Sequence, residues 1–430
     1  MSTSIEKRIK ESVEKNKEDL ISFLSDLIKI PSLNGSGEEG ELIAQQFLAK
    51  KLKEMGIKVD VFEPNVEELK KHPAFEMSRK MAENNLGFKN RPMVVGVYEG
   101  EGKGRSILFN GHMDVMPPGP KKLWGFNPFS GEVKNGQIFG RGAADMKGGI
   151  ANQTFALKAI LDAGIKLKGK VILESIVDEE SSSNGTLSCL IRGYKADAGI
   201  CTEGTTNFIA PAQAGGIVFS VKVYGTSASV LRDTSGISAI EQIYKLFHAL
   251  PNLAKMRVLK AHHDIIDPRS LGIYAGMVEA GTWQNMFPME ARMDGVIRLL
   301  PNEKTEDVKQ EFVNYINSIA ALDPTMTDNP PEITFFQTWH PAEIPVNHPI
   351  VEVLKESYIP FNGQEGKIGP REGGTDSWVY TKYGDTPMVV YGCGSPDKMH
   401  VTNESLDIDM LMETTHVLAQ CIAKWCGVEE

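Results

Sequence analysis

The sequence has little of what would take it out of the ordinary soluble class. No apolar run approaches the ~18 residues of a membrane span, and the stretch from Met1 to about Leu20, rich in Lys and Glu, lacks the apolar core of a signal peptide. The five cysteines, Cys189, Cys201, Cys393, Cys421 and Cys426, are odd in number and show neither CxxC nor zinc-ribbon spacing. That argues against a disulfide framework and fits reduced thiols in a cytoplasmic protein. A long basic run is also missing: 46 Lys and Arg stand against 56 Asp and Glu, a formal charge of −10. Such a field repels phosphate backbones and anionic membrane surfaces, so neither nucleic acid nor a membrane is an expected partner. There is no internal repeat and no low-complexity segment.

What is present is a chain of 430 residues, 41% hydrophobic and 24% charged, with 41 Gly and 23 Pro. At roughly 100–200 residues per domain, two domains are expected. Helical spacing runs from Ile5 to Ile30 and from Glu38 to Met55, followed by a strand at Ile57–Val61. The polar stretch Pro64–Arg91 reads as a helical insertion. Strands at Ser106–Phe109, Lys170–Val177 and Ala198–Thr202 then alternate with a helix from Lys147 to about Ala163, which predicts a mostly parallel α/β sheet. Between Gln213 and His340 the order changes to strand Gly216–Tyr224, helix Ser238–Leu250, strands Gly272–Gly281 and Glu290–Leu299, helix Thr305–Ile319 and strand Glu332–Gln337. This βαββαβ order predicts an inserted α+β ferredoxin-like domain at 213–340. The first domain then comprises 1–212 and 341–430, closing with a strand at Pro387–Tyr391 and a helix at Ile408–Cys426.

The strand ends carry the chemistry. Ser106–Phe109 leads to His112 and Asp114, Lys170–Val177 to Asp178, Glu179 and Glu180, Ala198–Thr202 to Glu203, and Pro387–Tyr391 through a Gly-rich loop to His400. Ligands of open α/β sheets sit beyond the carboxyl ends of the strands, so these segments deliver imidazoles and carboxylates to one edge. Asp114, two residues after His112 on extended backbone, is placed for its carboxylate to accept the second ring N–H of His112. Asp145 stands just before a helix. Taken singly, each has a bland explanation as a surface pair, a solvated loop or a helix cap. Together, nitrogen and oxygen donors without a thiolate suit zinc, or less specifically cobalt or manganese.

The stretch Trp124-Gly125-Phe126-Asn127-Pro128-Phe129 through Gly140-Arg141-Gly142-Ala143-Ala144-Asp145-Met146-Lys147-Gly148-Gly149 resembles the dizinc family of aminoacylases, acetylornithine deacetylases, succinyl-diaminopimelate desuccinylases and carboxypeptidase G. Asn110-Gly111-His112-Met113-Asp114, the Asp178–Glu180 run, Thr202-Glu203-Gly204, Gly373-Gly374-Thr375-Asp376 and His400 with Asn403-Glu404 extend the likeness over nearly the whole chain. The resemblance implies two Zn2+ bridged by Asp145, with His112 and Glu203 completing one ion's shell and Glu180 and His400 the other's. It implies Asp114 as the orienter of His112, and Glu179 as general base toward a water shared by the metals. It further implies substrate contacts from Gln284-Asn285, Arg298, Gly374 and Thr375, a lid formed by the inserted domain, and a homodimer through that lid.

Relatives carry a lid histidine in a G-x-x-A-H setting, where Gly225-Thr226-Ser227-Ala228-Ser229 puts Ser229. An altered substrate, a compensating Arg232, His262 or His263, or binding without turnover would each accommodate the change. Trp378 stands where many relatives have an arginine that pairs with the substrate carboxylate; as a buried indole it would only pack its helix, and facing the site it would favour a flatter substrate. The expected activity is hydrolysis of the amide of an N-acyl amino acid or related small amide. A dipeptidase or carboxypeptidase, a formylaminopyrimidine deformylase, and a non-catalytic metal-binding homologue are the alternatives.

Overall fold

The computed structural model describes residues 3–226 and 236–429. Its two larger sheets are built from strands β1 (Lys58–Phe62), β2 (Met93–Tyr98), β3 (Ile107–His112), β4 (Val171–Ile176), β5 (Ala198–Cys201), β6 (Gly215–Tyr224), β7 (Ile273–Ala280), β8 (Glu290–Leu299), β9 (Glu332–Trp339) and β10 (Met388–Val390). The chain divides into two compact units: Met1–Ala212 with Ala342–Arg371 and Thr375–Glu430, and Gln213–Pro341 with Glu372–Gly374.

In the first unit six strands lie in the order β1-β2-β4-β3-β5-β10. The four strands β4, β3, β5 and β10 run parallel, while β2 is antiparallel to both β1 and β4. Every residue of β3 and of β4 is buried. A strand covered on both faces reads as a continuous apolar run rather than an alternation, which is why these two were legible from sequence. Strand β2 was not foreseen; it follows directly on the polar insertion as the short run Met-Val-Val-Gly-Val-Tyr. The helix Gly148–Asp162 enters the sheet's upper edge at very close range. A Cβ on Gly149 would stand 2.1 Å from the carbonyl oxygen of Thr202, so only glycine lets the start of this helix press against the end of β5. That contact brings Asp145 and Glu203 into one place.

The second unit is an antiparallel sheet in the order β7-β8-β6-β9. Alternate residues of β6 (Ile217, Phe219, Val221 and Val223) are buried with Leu246, Leu250 and Leu253 of the helix Ala239–Lys260 and Phe312 and Ile316 of the helix Thr305–Ala320. This is the period-2 pattern of a sheet with one covered face. Two boundaries differ from expectation. The helix from Ala239 continues through Pro251 to Lys260. Residues 372–374 group with the second unit, where a Cβ on Gly374 would lie 2.7 Å from Cβ of Trp339.

Candidate functional site

Beyond the carboxyl ends of β3, β4, β5 and β10, two sets of donor atoms converge. His112 Nε2 lies 3.1 Å from Asp145 Oδ1 and 3.2 Å from Glu203 Oε1. His400 Nε2 lies 3.0 Å from the other oxygen of Asp145 and 3.1 Å from Glu180 Oε2. Within each set the donor atoms are no more than 4.8 Å apart, and Asp145 belongs to both. It offers one oxygen to each side, the arrangement of a bridging carboxylate.

These residues fit a pair of divalent cations. The donors are imidazole nitrogens and carboxylate oxygens only, the chemistry of zinc, cobalt or manganese sites. With protein charges alone the cluster is poorly compensated. Burial pushes the carboxyls of Glu179 and Glu180 up, and the charge of Glu180 lifts His400 to about 12. Burial acts to lower His112, yet hydrogen bonds to Asp145 and Glu203 hold it well above the usual imidazole value. Surroundings so rich in carboxylate favour positive charge at each donor set, which divalent cations would supply.

Asp114 corrects one expectation. His112 Nδ1 is 2.8 Å from the backbone oxygen of Asp114 and 3.7 Å from its carboxylate. The carboxylate is drawn aside because its Oδ2 accepts from Asn34 Nδ2 at 2.6 Å and from the Glu180 N–H at 3.2 Å. The main chain thus fixes the ring with its proton on Nδ1 and leaves Nε2 free as a donor to metal. Glu179 is buried beside the first donor set, with Oε2 3.8 Å from His112 Nε2. Asp178 and His400 adopt left-handed backbone, at φ of 82° and 57°. Such conformations in non-glycine residues persist only where surrounding contacts impose them.

Side chains that the sequence did not single out hold this geometry. Arg371 is 7% exposed and donates to Glu203 Oε2 at 3.3 Å and to the Gly204 carbonyl at 2.9 Å. Glu404 accepts from the backbone N–H of Ala144 and of Asp145 at 2.9 and 3.2 Å and from Arg141 at 2.6 Å. Glu404 was visible only as part of the family likeness. Arg371 had no signal beyond its place before the Gly-rich motif.

The expected substrate contacts fare differently. Thr375 is fully buried and its hydroxyl accepts the Ser377 N–H, while Gly374 makes room for Trp339. These contacts occupy the Thr375 hydroxyl and the Cα face of Gly374, and the expected carboxylate contact is one from their backbone N–H groups. Gln284 and Asn285 lie in an exposed turn of the second unit, and Arg298 is half-buried on β8. Trp378 is 0% exposed and donates from Nε1 to Ser183 Oγ at 2.9 Å; it is core and does not argue for a flat substrate. Ser229 and Arg232 lie outside the described residues. His263 Nδ1 accepts N–H groups of Ile265 and Ile266, and His262 is exposed beside Asp264.

Comparison with known proteins gives a consistent result. The family model described as Peptidase family M20/M25/M40 matches residues 108–424. N-formyl-4-amino-5-aminomethyl-2-methylpyrimidine deformylases from Bacillus subtilis and Halalkalibacterium halodurans are each 28% identical, with 97% of this chain and 97% of theirs aligned. Among solved structures, the dipeptidase Dug1p of Saccharomyces cerevisiae is similar with a TM-score of 0.81 at 14% identity, covering 99% of both chains.

Proposed function

The chain belongs to Peptidase family M20/M25/M40, and on that premise we propose that it is a dizinc deacylase that frees a small amine from its N-acyl group. It is a metal-dependent hydrolase of amides. The proposed substrates are an N-acyl amino acid or a formamide carried on a small heterocycle, the latter supported by end-to-end likeness to the pyrimidine deformylases. The single observation that carries the reading is the pair of donor sets joined through Asp145, with the buried carboxyl of Glu179 beside them.

Two cations held by His112, Asp145, Glu203, Glu180 and His400 would polarise the scissile carbonyl and acidify a water. Glu179 takes the proton of the attacking water and returns it to the nitrogen of the leaving amine as the C–N bond breaks. Burial, which raises its proton affinity, suits a group that must accept a proton and then give it back. The backbone carbonyl of Asp114 keeps His112 in one tautomer throughout. In the second unit Asn285 and Arg298 are the proposed contacts to the substrate's polar end.

A homodimer through the second unit is part of the proposal. Strand β7 is an edge of its sheet and exposes Tyr274 (63%), Met277 (47%) and Val278 (52%). A long apolar edge is a liability unless another strand or surface covers it. Light scattering should give twice the chain mass, and Val278→Lys with Met277→Asp should give the chain mass; an unmodified protein that runs as a monomer at micromolar concentration removes the idea.

The activity is tested with N-formyl, N-acetyl and N-succinyl amino acids, dipeptides and formamidopyrimidines, using zinc-loaded, metal-stripped and Glu179→Gln protein. Glu179→Gln should keep two metals and lose about 100- to 10,000-fold in kcat. Full activity after metal stripping would sink the mechanism. Preferential turnover of dipeptides would move the substrate to the peptidase class. A metal-binding protein without turnover would be indifferent to Glu179→Gln.

A further inference from the structure

The polar segment between β1 and β2 has little regular structure of its own, only helical turns at Val66–Leu69 and Arg79–Asn84. Its side chains nevertheless grip the turn that carries Glu179 and Glu180. Arg91, 5% exposed, donates from Nη2 to Asp178 Oδ1 at 3.1 Å, while Nε and Nη2 bind the two oxygens of Glu41 at 2.6 and 3.0 Å. The other oxygen of Asp178 accepts from Ser182 Oγ at 2.5 Å, and its carbonyl accepts the Ser182 N–H at 2.8 Å. Further along, Asn184 Nδ2 donates to the carbonyl of Glu76 at 2.8 Å, and the Glu76 N–H returns to Asn184 Oδ1 at 3.3 Å.

Lys80 completes the grip from the opposite side. Its ammonium donates to the backbone oxygen of Asn34 at 2.6 Å and to Asn34 Oδ1 at 2.9 Å, and Ser181 Oγ also donates to Asn34 Oδ1. An ammonium has only donors, so the amide of Asn34 must turn its oxygen toward Lys80 and its NH2 toward Asp114. That NH2 meets Asp114 Oδ2 at 2.6 Å, and the same oxygen receives the Glu180 N–H at 3.2 Å. One cation in the insertion thereby sets, through two relays, where the backbone of Glu180 lies.

We propose that the insertion is a working part of the site: Lys80 and Arg91 are positioning residues that hold the 178–184 turn so that Glu180 joins its donor set and Glu179 lies beside the other. A segment serving only as cover would be anchored more cheaply by apolar contacts than by a buried guanidinium and a half-buried ammonium, whose desolvation is costly. The proposal rests on the roles assigned above to Glu179 and Glu180.

The test compares Lys80→Met, Lys80→Arg and Arg91→Lys with the unmodified chain. Thermal unfolding of the metal-stripped proteins checks folding, calorimetric titration with Co2+ reads both sites, and kcat and KM are taken on whichever substrate of the panel is turned over. Lys80→Met should stay folded, bind one of the two Co2+ about 10- to 100-fold more weakly, and lose kcat by a similar factor while KM moves less than about threefold. Lys80→Arg, which keeps the donors, should restore both, and Arg91→Lys, which loses the two-pronged contact, should fall between. A folded Lys80→Met protein with unmodified Co2+ affinity at both sites and unmodified kcat overturns the proposal. Should the unmodified chain hydrolyse nothing on the panel, the hydrolase reading fails, and the Co2+ titrations alone still decide the role of Lys80.

Discussion

Arg371 shows how a single residue shapes the site without belonging to the donor set. Its guanidinium faces Glu203 Oε2 at 3.3 Å in a buried setting, so Glu203 keeps only Oε1 for the cation side, 3.2 Å from His112 Nε2. Removing one partner of a buried pair strands the other charge, a loss of about 3–5 kcal/mol. Arg371→Met should therefore destabilise the metal-stripped protein by roughly that amount, and the loaded protein by much less, because a cation takes over as the partner of Glu203. Denaturant melts with and without Zn2+ measure both values, and equal losses would show that Arg371 acts on something other than the charge of Glu203. Local pattern placed His112, the 178–180 run, Glu203 and His400 on a common edge because four segments end strands of one sheet, whereas the choice of five donors, Asp145 among them, came from the family likeness. Arg371, Asn34 and Glu404 act across 80 or more residues, a separation that leaves no periodic trace.

Among elements, the helix Ala239–Lys260 marks where local rules gave way. Proline inside a helix removes a donor and crowds the preceding turn, at about 3 kcal/mol, and the sequence pattern predicts a helix that ends at Leu250, one residue before Pro251. Yet the buried stripe Leu246, Leu250, Leu253, Arg257 runs straight across Pro251. Burying a leucine is worth about 1.5–3 kcal/mol, so packing Leu253 and the stem of Arg257 outweighs the missing bond. Arg257 adds hydrogen bonds to the carbonyl of Arg298 at 2.8 Å and to Glu303 at 2.8 and 2.9 Å. Pro251→Ala restores the donor while leaving the stripe intact, and should raise unfolding stability by about 1–3 kcal/mol. A chemical melt that shows no gain would mean that the turn before Pro251 is already relaxed. Strand β2 is the converse case: six residues after a polar insertion carry too short a pattern to tell strand from loop, and only pairing on both sides makes them one.

For the molecule as a whole, two buried groups on different elements contribute opposite slopes to the dependence of stability on pH. His416, on the helix Ile408–Cys426, is 2% exposed, and neither ring nitrogen has a hydrogen-bond partner among the described residues. Burial, helped by the charge of Lys10, lowers it from 6.5 to about 4. The unfolded chain takes up this proton first, so the stability His416 contributes is complete above pH 6.5 and is lost as pH falls through 4, at about 1.4 kcal/mol per unit. Glu174, bonded to Tyr380 and Asn110 in the sheet core, is pushed by burial from 4.5 up to about 8. Here the folded chain holds the proton longer, so the contribution is complete below pH 4.5 and is lost as pH rises through 8. Between pH 4.5 and 6.5 the two slopes oppose and nearly cancel. Relative to the unmodified chain, His416→Leu should lose a contribution that rises between about pH 4 and 6.5, and Glu174→Gln one that falls between about pH 4.5 and 8. Subtracting the unmodified profile from each variant's, at fixed metal, removes the titration of the donor set, to which neither group is bonded. A His416→Leu difference that stays constant from pH 4 to 6.5 would mean that the folded protein already carries the proton on His416, and that a partner for the ring exists in solution.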